Sequence, residues 1–273
     1  MMKVDTSKCI GCTLCMQDCI VSDIEMLNGK AHIKNESCIE CGHCIAICPK
    51  EAVSDIDYDM SNIQEYKKED FDIDSDRLLN FIKFRRSTRL FQNKDVEDEK
   101  LKKIIEAGRF TQTGSNIQNV SYVVVKDKLQ ELRKMVLETL NSLGENLLSQ
   151  ETTPTTIKKY CYMWIKMYND FLEDPINSED KLFFKAPALI IVKSSSAVNA
   201  SLAASNMELM TNALGLGTYF SGFLQRAAEV NPKINEFLGL EETESLVNCM
   251  VIGYPRVKYK RTVPRKEAKI TWM

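Results

Sequence analysis

Histidine is almost missing from this 273-residue chain: His32 and His43 are the only two. Nothing beyond residue 43 can therefore use an imidazole as general acid or base. Long apolar runs are also missing. A membrane span needs roughly 20 apolar residues, and the longest candidate, Ala186 to Val192, reads as a buried strand. Charge is balanced, with 36 basic and 38 acidic residues and a net charge of -2, so neither a nucleic-acid nor a membrane partner is expected. No G-x-G-x-x-G or Walker run occurs; Gly215-Leu216-Gly217 lacks the third glycine. A dedicated Rossmann or P-loop site is therefore not expected. Nothing at the N-terminus has the pattern of a secretory signal, and thiols outside any ordered run, Cys161 and Cys249, point to a reducing cytoplasm. With 44% hydrophobic and 27% charged residues, the chain suits one large globular domain or two smaller ones.

What the sequence does have is cysteine in order. Cys9, Cys12, Cys15 and Cys19 follow C-x2-C-x2-C-x3-C, and Cys38, Cys41, Cys44 and Cys48 repeat the spacing 29 residues later, with Pro49 closing the second run. This is the bacterial ferredoxin signature, in which the fourth cysteine of each run ligates the other cluster. On that rule Cys9, Cys12, Cys15 and Cys48 hold one [4Fe–4S] cluster, and Cys38, Cys41, Cys44 and Cys19 the second. Ile20, rather than proline, follows Cys19. Two zinc ions are the alternative, but zinc sites commonly use paired C-x2-C arms around a longer insert. A disulfide framework would need an oxidising compartment. The remaining thiols, Cys161 and Cys249, read as small buried hydrophobes.

Residues 1–54 thus form a cysteine module that draws folding free energy from ligation. Residues 55–75 carry eight acids, Asp55 to Asp74, and read as a solvated linker with at most one ordered turn. The second domain, 76–273, starts on a helical pattern at Leu78, Leu79, Ile82 and Phe84. Asp95 is the expected N-cap of the next helix, whose apolar face is Leu101, Ile104, Ile105 and Gly108. Then come a strand at 122–125, helices at 128–148 and 155–173, and a strand after Pro187. A small-residue helix at 198–214 follows, apolar on more than one side and so expected to be buried. A last strand, 246–252, precedes a basic extended tail. Strands separated by helices predict a layered α/β or α+β domain.

In the run Arg85-Arg86-Ser87-Thr88-Arg89, three guanidiniums and two hydroxyls could grip a phosphate. By composition alone, the simpler role is a solvated complement to a helix C-terminus. The order of segments points further. Arg85-x-Ser87-x-Arg89-x-Phe91, then a helix, then Gly114-Ser115-Asn116-x-Gln118, resembles the nitroreductase family of FMN enzymes. So do Tyr219-Phe220-Ser221-Gly222-Phe223 and the tail Tyr259-Lys260-Arg261-Thr262-Val263-Pro264-Arg265. The resemblance covers residues 76–273.

It implies an α+β, nitroreductase-like homodimer with FMN at the subunit interface, preceded here by the small ferredoxin-like domain. Arg85 and Ser87 would bind the FMN phosphate, Arg86 would lie along the ribityl chain, and Arg89 would approach the pyrimidine edge. Asn116 and Gln118 would meet the cofactor or the neighbouring subunit. Arg265, with Arg261, would close over the phosphate. Ser221 and Gly222 would lie near flavin N5, where many members have Glu in place of Ser221. No catalytic proton donor can be named.

The expected activity is an oxidoreductase that passes electrons through two clusters to FMN and on to a small organic acceptor, nitroaromatic or quinone-like. Ferredoxin or another low-potential carrier is the expected donor, with NAD(P)H the other candidate. Two alternatives stand beside it. One is an electron carrier or redox sensor without a dedicated substrate; the other is NAD(P)H oxidation at FMN with electrons exported through the clusters.

Overall fold

Met2, Ile24, Ala31, Ile33, Ala52 and Val53 are buried together and give the cysteine-rich segment a small core. The structure is a computed structural model describing residues 1–273. Strand β1 (Met2–Val4) pairs antiparallel with β4 (Val53–Asp55), and β2 (Ile24–Leu27) with β3 (Lys30–Ile33). The β2–β3 turn is Asn28-Gly29, both at positive φ, as a two-residue hairpin turn requires. One-turn helices α1 (Leu14–Gln17) and α2 (His43–Ala46) follow left-handed residues at Thr13 and Gly42.

The 29-residue offset of the cysteines is therefore also an offset of backbone shape. Gly11 and Glu40, Thr13 and Gly42, and Ser22 and Glu51 are counterpart pairs, and all six have φ between 47° and 74°. Gly11 has a second reason to be glycine: a Cβ there would lie 2.3 Å from the carbonyl oxygen of Gly29. Residues 56–75 are almost entirely exposed. They contain a 3-10 turn at Met60–Asn62 and a short helix, α3 (Lys68–Phe71).

By internal contact the chain divides into two units, Met1–Ile73 with Thr113–Gln118, and Asp74–Gln112 with Asn119–Met273. The second unit is built on a four-stranded antiparallel sheet, β5 (Val120–Val125), β6 (Ala188–Ser194), β8 (Ser245–Gly253) and β7 (Gly217–Phe220), in that spatial order. Its helices are α4 (Ser75–Phe84), α5 (Asp98–Arg109), α6 (Leu129–Ser149), α7 (Thr155–Glu173), α8 (Ala197–Ala213), α9 (Gly222–Val230) and α10 (Pro232–Phe237).

Period-two alternation splits the central strands between two cores. Leu189, Ile191, Cys249 and Val251 face α6, α7 and α9. Ala188, Ile190, Val192, Met250 and Ile252 face α5 and α8. Both faces of the sheet are covered, which is why β6 is a continuous apolar run. Cys161 and Cys249 lie in the first of these cores, and burial pushes both thiols up.

Three expectations need correction. Asp95 is not an N-cap: α5 starts at Asp98 behind Glu97, and the Asp95 carboxylate is held by Lys126 at 2.9 Å. A strong cation reaching from the end of β5 competes better for that carboxylate than a helix amide does. Helix α4 starts one residue early, because the Asp74 side chain accepts from Arg77 N at 2.7 Å. Helix α8 is not buried all round. Ala200, Ala204 and Met207 pack on the sheet, whereas Val198 and Leu202 are exposed, because one stripe suffices to cover the strands.

Candidate functional site

Two small cavities of equal size lie within the first unit. Cys9, Cys12, Cys15 and Cys48 line one of them. Cys19, Cys38, Cys41 and Cys44 line the other, with Cys15 on the wall common to both. The fourth cysteine of each run thus sits with the first three of the other. Helices α1 and α2 bring this about: each carries its third cysteine inward and turns the chain toward the opposite cavity.

No disulfide joins any of the ten cysteines. Backbone N–H groups point at the sulfurs instead. Ala31 N lies 3.4 Å from Cys9 Sγ, Asp23 N 3.4 Å from Cys19 Sγ, Glu40 N 3.4 Å from Cys38 Sγ and Ala52 N 3.3 Å from Cys48 Sγ. Such donors stabilise sulfur that carries negative charge. Ala31 and Gly11 amides hold the Cys9 thiol below its usual value, while burial pushes Cys44 up to about 11. A buried thiol of that kind stays protonated until a metal displaces the proton. Soft sulfur donors, two equal cavities and aimed amides fit a pair of cubane clusters.

The second unit contains a cleft of about 790 Å³. The C-terminal end of α4 delivers Ile82 and Lys83, the next residues deliver Arg85, Arg86, Ser87 and Arg89, and the tail adds Tyr259, Thr262, Val263 and Arg265. What fixes the run is the sheet. Thr88 N donates to Thr218 O at 2.8 Å, and Ser87 forms a parallel bridge with Thr218 on β7. The approach is close enough that a Cβ on Gly217 would meet Thr88 Oγ1 at 2.4 Å.

Arg85 is paired with Glu208 of α8. Arg86 folds back on the α4 carbonyls, donating to Lys83 O at 3.0 Å and to Arg85 O. The Nε atoms of Arg85 and Arg86 are buried without a hydrogen-bond partner. Buried donors of this kind are costly unless something accepts from them, and a phosphate-bearing group in the cleft would do so. The Arg89 guanidinium sits 5.0 Å from the centre of the Tyr219 ring, which is itself braced edge-on by Phe184 at 5.2 Å.

Of the residues expected at a flavin, the structure therefore gathers Arg85, Arg86, Ser87, Arg89 and Arg265. Arg261 lies on the exposed tail outside the cleft lining. Ser221 is buried, donating through Oγ to Leu182 O at 3.3 Å and through its backbone to Cys249 O, and Gly222 opens α9 behind it. Asn116 and Gln118 belong by contact to the first unit, where Asn116 donates to Ile39 O and Glu40 O at 3.0 Å and Gln118 to the Tyr58 hydroxyl. Glu208 escaped the sequence reading, and Tyr259 and Thr262 stood in the quoted tail without a role of their own. The signal for Glu208 is that it is the one charged residue on α8.

Comparison with known proteins gives two family matches: the nitroreductase family over residues 82–254 and a 4Fe-4S dicluster domain over residues 1–49. The chain is similar to an NADPH-dependent oxidoreductase of Staphylococcus aureus, 26% identical over 185 residues, which are 66% of each protein. The match thus spans just under two thirds of that relative's length. Among solved structures it resembles a nitroreductase with bound FMN from Bacteroides fragilis, at 20% identity and TM-score 0.55, covering 71% of this chain and 98% of that one. It also resembles a BluB-like flavoprotein from Clostridium difficile, at 20% identity and TM-score 0.54, covering 70% and 94%. Likeness at such identities speaks for the fold. The family match covers well over half the chain: it belongs to the nitroreductase family of oxidoreductases and carries a 4Fe-4S dicluster domain ahead of that fold.

Proposed function

We propose that this chain carries electrons from two [4Fe–4S] clusters to FMN and on to a small organic acceptor of nitroaromatic or quinone type. The observation that carries the proposal is the pairing, in one chain, of two equal four-cysteine cavities with a cleft of converging arginines. Bound there, the clusters would supply single-electron steps, and the flavin would supply a junction between one- and two-electron chemistry.

The residues have separate tasks. Arg85, Arg86, Ser87 and Arg265 would hold the phosphate end, with the two orphaned Nε atoms as the donors that gain most. Arg89, kept in place by Tyr219, would present a fixed cation to the electron-rich edge of the ring system, which favours the reduced form. Asn116 and Gln118 would meet the cofactor or the neighbouring subunit, Arg261 would join Arg265 over the phosphate, and the segment of Ser221 and Gly222 would lie near flavin N5. A homodimer is supported by apolar residues that one chain leaves open: Leu78, Leu79, Ile82 and Phe84 on α4, and Val198 and Leu202 on α8. Residues 55–75 would tether the module of residues 1–54 to the domain of residues 76–273 at an effective concentration on the order of millimolar. Clusters together with unpaired thiols at Cys161 and Cys249 support a reducing, cytoplasmic setting.

A second reading has its own support. The relative named an NADPH-dependent oxidoreductase suggests hydride delivery to the flavin, with electrons leaving through the clusters. Anaerobic rapid mixing separates the two. Reduced ferredoxin or viologen should bleach the flavin of the full chain quickly, and that of a Cys9→Ser, Cys38→Ser double variant slowly, with NADPH ineffective in both. Fast bleaching by NADPH in both proteins, with ferredoxin equally slow in both, would favour the second reading.

A further inference from the structure

Because the cysteine module is a 29-residue repeat, each position has a counterpart, and one pair differs in charge. Residues 23 and 52 have the same backbone role. Their N–H groups lie 3.4 and 3.3 Å from Cys19 Sγ and Cys48 Sγ, and their carbonyls accept from Lys34 N at 3.0 Å and Asp5 N at 2.7 Å. Ala52 sets a methyl beside the first cavity. Asp23 sets a carboxylate beside the second, at 1% exposure. Its Oδ1 accepts from Glu36 N and Ser37 N, while Oδ2 is buried and unpartnered. Basic residues gather on the other side. The Lys30 ammonium donates to Cys9 O, and Lys50 lines the first cavity where its counterpart Val21 lines the second.

We infer, resting on the reading of these cavities as cluster sites, that Asp23 makes the two clusters unequal in reduction potential. The site of Cys9, Cys12, Cys15 and Cys48 takes the first electron, and the site of Cys19, Cys38, Cys41 and Cys44 takes the second. Reduction adds one negative charge to a cluster. A fixed carboxylate away from water opposes that addition, and a neighbouring ammonium favours it. Lys50 is exposed and therefore screened, so Asp23 and Lys30 carry most of the difference. The repeat thus becomes a pair of sites that fill in a fixed order.

The test is a potentiometric titration with dithionite and mediators, followed by EPR, on the full-length holoprotein and its variants. Wild type should show two one-electron waves at least tenfold apart in reduction equilibrium, which is 59 mV. Asp23→Asn keeps an acceptor for the Glu36 and Ser37 amides. It should raise the lower wave about tenfold and leave the upper one in place, whereas Lys30→Gln should lower the upper wave alone. If Asp23 only holds the loop before Cys38, Asp23→Asn will move neither wave, and that result overturns the inference. Equal shifts of both waves overturn it too. Should Asp23→Asn fail to retain both clusters, Asp23→Ala decides the same point, since alanine is what position 52 carries. Iron analysis keeps the two readings apart. Fewer than about eight irons per wild-type chain overturns the cluster assignment itself, whereas a full complement with coincident waves overturns only the inequality.

Discussion

The two units reach a binding site by opposite routes. In the first, eight cysteines lie within 40 residues of one another, the strands are three or four residues long, and the core is a handful of side chains. Shape there follows the cysteines. In the second, the cleft draws on residues 82–89, on Glu208 and on 259–265, and a two-sided core brings them together. Shape there follows the sheet. The difference teaches that a ligation site can be read from spacing, whereas a site assembled by packing needs the packing first.

Cys19→Ser tests the first half of that contrast most severely. It should cost the cluster of Cys38, Cys41 and Cys44 and about half the iron, while the set of Cys9, Cys12, Cys15 and Cys48 keeps its own. Iron analysis and EPR read this directly. Two zinc ions in anaerobically purified wild-type protein would sink the scheme.

Leu189→Ala attacks the other unit, where Leu189 is fully buried on β6. A loss of roughly 2–5 kcal/mol is expected from the cavity it leaves. Urea titration followed by tryptophan emission should show it, because Trp164 shares that core. Absorbance from the first unit's clusters should be unchanged in native buffer, and loss of cluster absorbance there would mean the units do not keep separate cores.

A smaller effect is expected at the cleft. Arg85→Ala should weaken FMN retention by about one to two decades, the worth of a charge-assisted contact of roughly 1.5–3 kcal/mol. Equilibrium dialysis of the apoprotein would measure it, and unchanged affinity would remove Arg85 from the site.

Smallest of all is Tyr254→Phe. The Tyr254 hydroxyl donates to Glu97 at 2.5 Å and holds its carboxyl down at about 2, below its ordinary 4.5. A depressed carboxylate contributes stability above its unfolded value and loses it as pH falls toward 2. The variant should return Glu97 toward 4.5 in an NMR titration and flatten that part of the acid limb, with little change at neutral pH.

Much of this was legible in the residues. Strand β6 announced itself as an uninterrupted apolar run, and α6 and α7 as amphipathic periods. Strand β7 did not, because Gly217-Thr218-Tyr219-Phe220 is too short to show alternation and follows a helix-ending glycine. The Asn28-Gly29 hairpin passed unnoticed between the cysteine runs, whose spacing dominates that stretch. At the cleft, arginines could be found as a cluster, but their partner could not. Glu208 is 123 residues from Arg85, and only the seating of α8 on the sheet brings the two together. Ser221 shows the converse: it stands in a familiar segment, yet its hydroxyl is spent on a core carbonyl.

The bridge between Ser87 and Thr218 has a meaning apart from any cofactor. Strand β7 is the last in its sheet, and such a border offers unpaired amides to any passing extended chain. Residues 87 and 88 occupy that border, through Thr88 N and the ladder contact with Thr218. The same five-residue run that supplies cations to the cleft therefore also guards the sheet against intermolecular strand addition. Since those backbone bonds involve no cofactor atom, newly made chains waiting for their prosthetic groups are already protected along this border from aggregation.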